Sequence, residues 1–272
     1  SLSLKDSHLN LHGNDNHLGI RMDYDNQTEL ENSGEIILHG SFERDEDGLG
    51  IGLDFLPSSI RFNSKEWSFE PSELFYKNND LDVKTFALVS GNERISIEGK
   101  ASQEKADTLN LNLEHFDISI VDHILKQDFG TKGLATGTVQ LTSPLKDKGI
   151  LIDMICDSTS FASTPLGILN IGSRWNDADK DFEIFVRNDL EGKNNINAYG
   201  TLKPDGGLLD ITADLDRLDV SYAHPFLDEI FSEMDGKISG RIDVNGPVSN
   251  LTISSSGTRL EDGKLKVAYT NV

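Results

Sequence analysis

Leu109-Asn110-Leu111-Asn112-Leu113-Glu114 decides the fold. Apolar and polar residues take strict turns, and a pleated backbone sends successive side chains to opposite faces, so one set is buried and the other is wet. The same alternation runs upstream through Ile95-Ser96-Ile97-Glu98-Gly99. Downstream it recurs in Leu209-Asp210-Ile211-Thr212-Ala213-Asp214-Leu215, in Ile238-Ser239-Gly240-Arg241-Ile242-Asp243-Val244 and in Leu251-Thr252-Ile253-Ser254. Asp47-Gly48, Asp205-Gly206-Gly207, Asn245-Gly246-Pro247 and Asp262-Gly263 punctuate these runs as turns. The expectation is a mainly β chain of half-buried antiparallel strands.

Two segments depart from period two. From Ser221 to Met234 the apolar residues fall at Tyr222, Phe226, Leu227, Ile230, Phe231 and Met234, which is helical spacing with Ser221 as N-cap. A shorter counterpart runs from Ser119 to Phe129 through Ile120, Val121, Ile124 and Leu125. Both are expected to be short helices covering an end or an edge of the sheet.

The helices expose a repeat. Leu113-Glu114-His115-Phe116-Asp117-Ile118-Ser119 matches Leu215-Asp216-Arg217-Leu218-Asp219-Val220-Ser221 at an offset of 102. Gly133 to Leu141 matches Gly236 to Val244 at 103, and Ile95 to Gly99 matches Ile196 to Gly200 at 101. A unit of about a hundred residues therefore occurs about two and a half times without linkers, at 34–133, 134–235 and, in part, 236–272, behind a leading segment of strands or loop at 1–33. Stacked units of this kind predict an elongated sheet rather than one closed barrel.

Composition excludes several classes. With 25 basic against 46 acidic side chains the net charge is −21, which repels a phosphate backbone and argues against nucleic acid as a partner. No stretch reaches the roughly 18 to 20 apolar residues of a membrane-spanning helix. Ser1-Leu2-Ser3-Leu4-Lys5-Asp6 lacks the apolar region of a signal peptide, so the chain reads as cytoplasmic or as a piece of a longer protein. The single cysteine, Cys156, excludes an internal disulfide, and its apolar run Ile150 to Cys156 marks it as a buried thiol.

A strand ending in glycine, a Leu-rich alternating strand, the motif L-x-x-F/L-D-I/V-S, a short helix and then G-x-x-x-G-x-I/V-x-V/L with a proline stop resembles the TamB family of the AsmA-like group. The likeness covers roughly residues 34 to 272 and is carried best by Met234 to Pro247, then by Leu260 to Tyr269, with Trp67 and Trp175 each opening a strand run. It implies a curved antiparallel sheet folded like a taco (solenoid-like), in the periplasmic part of a protein anchored in the inner membrane of a Gram-negative cell. It also implies a role in lipid transport and outer-membrane biogenesis: phospholipid acyl chains carried along an apolar groove, and protein assembly or secretion through a translocation and assembly module. There a TamA-like outer-membrane barrel would be met through regions outside this segment. The membrane helix and the barrel-facing end of a full-length member are missing, so the segment is expected to be internal.

The physical rationale stands without the family. A wide sheet with one apolar face must cover it with helices, another sheet or a ligand, and two short helices cannot cover so many strands. Each acyl methylene removed from water contributes about 0.8 kcal/mol. The lipid-facing candidates are Ile95, Ile97, Leu109, Leu111, Leu113, Val139 and Leu141 in the first copy. In the second they are Leu209, Ile211, Leu215, Ile238, Ile242, Val244, Leu251 and Ile253. Alternation alone does not separate a residue touching lipid from one in a dry core, so a structural or adhesive β-solenoid remains open, as does a carbohydrate-active β-helix.

Catalytic chemistry finds little footing, and the expectation is a non-enzymatic chain with no cofactor and no metal. Asp45-Glu46-Asp47-Gly48 and Asp177-Ala178-Asp179-Lys180-Asp181 place oxygens at alternate positions as calcium loops do, but the second lacks the glycine and distal glutamate, and solvated acidic turns are the simpler reading. His8, His12 and His17 are spaced so that their imidazoles could gather around a transition metal, but Asn10 to Asn16, which contains His12, reads as loop, and a flexible cluster is the simpler reading. No Gly-x-Ser-x-Gly elbow or phosphate-binding glycine loop is present, since Gly48-Leu49-Gly50-Ile51-Gly52 alternates like a strand.

Overall fold

A computed structural model describes residues 6–26, 32–62, 65–102, 104, 107–120, 122, 129–142, 149–224 and 230–268. Strand takes 79% of the chain and helix 4%, and the ladders are antiparallel, so the mainly β reading holds. The chain divides into two units, Ser1–Phe116 with Thr138–Gly149, and Asp117–Gly137 with Ile150–Val272.

The first unit opens with β1 (His8–Asn14), β2 (His17–Asp25), β3 (Asn32–Asp45), β4 (Gly48–Phe55) and β5 (Ser58–Phe62). It continues through β6 (Lys65–Phe69), β7 (Ser72–Lys77), β8 (Asp80–Ser90), β9 (Glu93–Ala101) and β10 (Thr108–Asp117), and takes the second half of β11 (Lys132–Thr142). Residues directly opposite in an antiparallel ladder share a face. Leu11 stands opposite Ile20, Ile20 opposite Leu38, Leu38 opposite Phe55, and farther on Phe86 opposite Ile97 and Ile97 opposite Leu111, so one face is apolar throughout. The other carries pairs such as Asn10–Arg21, Ser59–Glu35 and Glu98–Asn110.

Two prolines interrupt this ladder without ending it. β4 and β5 both pair with β3, on either side of Leu56-Pro57, and β7 and β6 both pair with β8, on either side of Glu70-Pro71. In each case the next residue repairs the ladder with its side chain. Ser58 Oγ donates to the Leu56 carbonyl at 2.8 Å and accepts from Ile37 N at 2.8 Å. Ser72 Oγ donates to the Glu70 carbonyl at 2.7 Å and accepts from Ala87 N at 3.2 Å. A buried backbone donor facing a kinked rung is thus satisfied by a hydroxyl.

The second unit takes the first half of β11, then β12 (Gly149–Phe161), β13 (Thr164–Asn176), β14 (Asp181–Asp189) and β15 (Ile196–Lys203). It ends with β16 (Leu208–Asp219), β17 (Phe231–Pro247) and β18 (Thr252–Val267). Its apolar face runs Met154–Ile171–Val186–Ala198–Ala213–Ile242 from strand to strand.

The repeat is also visible in backbone detail. Leu113 opposes Ile95 as Leu215 opposes Ile196, and Leu109 opposes Gly99 as Ile211 opposes Gly200. His115 and Arg217 both sit at φ 49°, a left-handed kink near the end of β10 and of β16. Asp117 Oδ1 then accepts from Ser119 N at 2.9 Å, and Asp219 Oδ1 from Ser221 N at 3.0 Å. The motif glycines have a steric reason. Gly99 lies at φ 113°, and a Cβ there would sit 2.2 Å from the Thr108 carbonyl oxygen; at Gly240, φ 135°, it would meet Thr258 Cα at 2.6 Å.

Two expectations change. The stretch expected to be the second helix opens with a 3-10 turn at Val220–Ala223 and residues 225–229 lie outside the described residues, but its far end is strand: Phe231 and Met234 lie in β17 opposite Val267 and Leu265, where the ladder with β18 takes their backbone. Most of the first helix, Ser119 to Phe129, lies outside the described residues. The histidine segment is a hairpin of β1 and β2 rather than loop, since Leu9 and Leu11 find Met22 and Ile20 across the ladder.

Candidate functional site

Most of the residues proposed for lipid lie in strands on the apolar face of one unit or the other. In the first, Ile95 and Ile97 come from β9 and face Leu113 and Leu111 of β10, next to Leu109. Val139 and Leu141 belong to the same side of β11, because the intervening Thr138 and Gln140 bond Asn112 and Asn110 on the polar side, each at 2.9 Å. In the second, Leu209, Ile211 and Leu215 of β16 stand beside Ile238, Ile242 and Val244 of β17, and Ile253 of β18 opposes Val244. Leu251 immediately precedes β18 and is exposed.

None of these residues is fully buried. The strand residues are half-buried, except Ile253, which is 71% exposed. The buried apolar residues are few and many are small: Ala87, Ala101, Ala135 and Cys156 stand beside Trp67, Phe69, Val83, Leu166, Phe182 and Val220. The half-buried state of the candidate strand residues leaves part of the apolar face in contact with solvent.

Sequence reasoning missed the aromatic part of the face. In the first unit Phe55 stacks on Phe69 at 5.6 Å, and Phe86 meets both edge-on at 5.1 and 5.9 Å. Trp67 of β6 lies 6.2 Å from Phe116 of β10, although β8 and β9 separate their strands. Three rungs of a flat sheet span about 14 Å, so this face folds over and closes at that end.

The second unit closes at the equivalent end by polar contacts. Thr164 Oγ1 and Ser221 Oγ share a hydrogen bond of 2.8 Å, and Tyr222 OH donates to the Pro165 carbonyl at 2.5 Å. A cleft of about 720 Å³ remains, lined by Leu190, Lys193, Arg217, Leu218, Tyr222 and Lys237 among others. Burial, helped by Asp219, pushes the Tyr222 phenol up to about 12. Burial also raises Asp219, but the Lys237 ammonium at 2.7 Å and the Ser221 bonds outweigh it and hold this carboxyl below the usual range.

The remaining candidates hold no assembled chemistry. Asp45 accepts from the backbone of Asp47 and Gly48 and pairs with Lys77 at 2.5 Å, as an acidic turn does. Asp177 accepts from Trp175 Nε1 at 3.1 Å and Asp179 from Asn176. Among the described residues no three His, Cys, Asp or Glu side chains converge as metal ligands would. Cys156 is buried, and burial raises its thiol above the ordinary value.

Comparison with models of protein families, with curated proteins and with solved structures finds no match for this chain.

Proposed function

We propose that the chain is a non-enzymatic, lipid-shuttling segment of a TamB-like protein that links inner and outer membranes across the periplasm and supports outer-membrane protein assembly. The observation that carries this reading is the half-open apolar face, aliphatic at Leu111, Ile211 and Ile242, which a hydrocarbon would cover without needing a hydrogen bond. Acyl chains slide along the aliphatic track while head groups stay in water beyond it, and direction is supplied elsewhere. A TamA-like barrel would be engaged through parts of the protein outside this segment.

A scaffold with a dry interior is the second reading. The Phe55–Phe69–Phe86 cluster and the Trp67–Phe116 contact favour it for the first unit.

Photo-crosslinkers at Leu111 and Ile211, combined with native mass spectrometry of the purified protein, test the proposal. Phospholipid adducts at both positions, with lipid carried through purification, are expected. Capture of protein alone, without copurified lipid, overturns lipid carriage. Leu111→Arg sharpens the result: facing lipid, it abolishes the adduct and leaves the strand spectrum intact, whereas in a dry core an unpaired charge unfolds the unit.

A further inference from the structure

The outer, polar face of the second unit carries a feature that lipid carriage does not use. Phe185 of β14 and Tyr199 of β15 stand directly opposite each other there, 48% and 44% exposed. Phe185 also opposes Gly172 of β13, where an added Cβ would lie 1.9 Å from the ring's Cζ and 2.2 Å from Cε1. The ring therefore lies flat on the backbone at Gly172 and offers its other side to water. Beyond Tyr199, Asp214 is gripped by Arg241 Nε at 2.8 Å and Nη2 at 3.2 Å.

A cleft of about 440 Å³ opens beside Phe185, lined by Asn170, Arg187, Asp189 and Asn194. Oriented to satisfy its neighbours, the Asn194 amide oxygen accepts from Arg187 Nε at 2.9 Å and Nη2 at 3.0 Å, which fixes the guanidinium plane next to the ring. Asn170, on the same face opposite Arg187, has no side-chain hydrogen bond among the described residues.

We propose that Phe185 and Tyr199 form a binding platform for a neutral oligosaccharide, with the adjoining cleft reading its hydroxyl or N-acetyl groups. A pyranose has an apolar C–H side and a polar rim. Flat aromatic rings match the first, and planar amide and guanidinium groups the second. Arg187 and Asp189 offset each other's charge, which favours an uncharged sugar over a uronic acid. Nucleic-acid bases stack on such rings as well, but a chain of net charge −21 repels their phosphates. An acyl chain would leave the Asn170 amide of the cleft without a partner.

The first unit supplies an internal contrast. Phe75 of β7 lies over Gly50, where a Cβ would come 2.7 Å from its Cζ, beside a cleft of about 340 Å³. Its cross-strand neighbours are Gly52 and Asp82, so no second ring extends it, and Lys77 of that cleft is engaged by Asp45. Covering a glycine thus needs one ring, and the ring on Tyr199 is additional to that need.

The test is a titration of isotope-labelled protein with cellohexaose and, separately, with N-acetylchitohexaose, followed by amide shifts. One of the two is expected to move the amides around Gly172, Phe185, Arg187 and Tyr199 and to leave those around Leu111 unmoved. Phe185→Leu still covers Gly172, and Tyr199→Leu keeps an apolar side chain. Each should weaken binding at least tenfold with the melting temperature held, and Asn170→Ala should weaken it less. Absence of shifts with both sugars at millimolar concentration overturns the platform, as does binding that survives both Leu variants. The readout lies on the face opposite the apolar track, so failure of lipid carriage and failure of this proposal are separate results.

Discussion

The two units close the same end of their apolar faces with opposite chemistry. In the first, Trp67 meets Phe116 across two intervening strands, and Phe55, Phe69 and Phe86 fill the space beside them. In the second, Thr164, Ser221, Tyr222 and the Pro165 carbonyl do the bridging, and a cleft of about 720 Å³ survives. Rings bury large areas at low entropic cost and pack without a fixed partner atom, so they seal. Hydroxyls join two walls at defined points and leave room between them. The same ladder geometry therefore yields a dry end or an open one, according to the residues placed at the junction.

Truncating the aromatic closure gives the largest expected effect. Trp67→Ala should cost about 3–5 kcal/mol in urea unfolding followed by circular dichroism, since the residue is 5% exposed and its removal leaves a large cavity. Ile211→Ala, in the half-open stretch, should cost well under half as much; equal losses would erase the distinction between the units. Ser72→Ala comes next at about 1–3 kcal/mol, because it strands the Ala87 amide, and Ser58→Ala should behave alike toward Ile37. Both serines belong to the first unit, so melting of the second should be spared in hydrogen exchange if the units open independently.

Tyr222→Phe is the smallest, about 1 kcal/mol, for one hydrogen bond. It carries a pH signature. The phenol is raised from about 10 to about 12 in the folded chain, so its contribution is complete below pH 10 and disappears as pH climbs toward 12. Wild-type stability should fall across that window more steeply than that of the Phe variant. Absorbance at 295 nm should show one tyrosine ionising near pH 12; ionisation of every tyrosine near 10 would place Tyr222 in water.

Much of this was legible beforehand. Alternation located β9, β10, β16 and β17 and assigned their inward residues, because a period of two survives any register. The hundred-residue repeat was legible too, but the left-handed kink that both copies share at His115 and Arg217 was not, since offsets carry no backbone conformation. The closures were not, since Trp67 and Phe116 meet through the curl of the sheet and no local pattern encodes it. Phe185 escaped notice for another reason: in Phe182-Glu183-Ile184-Phe185-Val186 the outer ring interrupts alternation and blurs into an apolar run. Pro57 and Pro71 each remove a ladder donor, and what carries the ladder through is the serine hydroxyl after each, a tertiary contact that local sequence does not encode. Phe231 and Met234 misled by spacing, because six apolar residues at helical intervals say nothing about a neighbouring strand waiting to pair.

The recurring kink at His115 and Arg217 has a genetic corollary. Because both sites share a backbone conformation and the ladder leading into each is in the same phase, excising residues 116–217 would splice one copy onto the next with side chains still pointing the right way. Duplication of the same interval would lengthen the chain equally well. A gene encoding such a protein can grow or shrink by whole modules through unequal recombination, while a loss or gain of an odd handful of residues would invert inside and outside from that point onward.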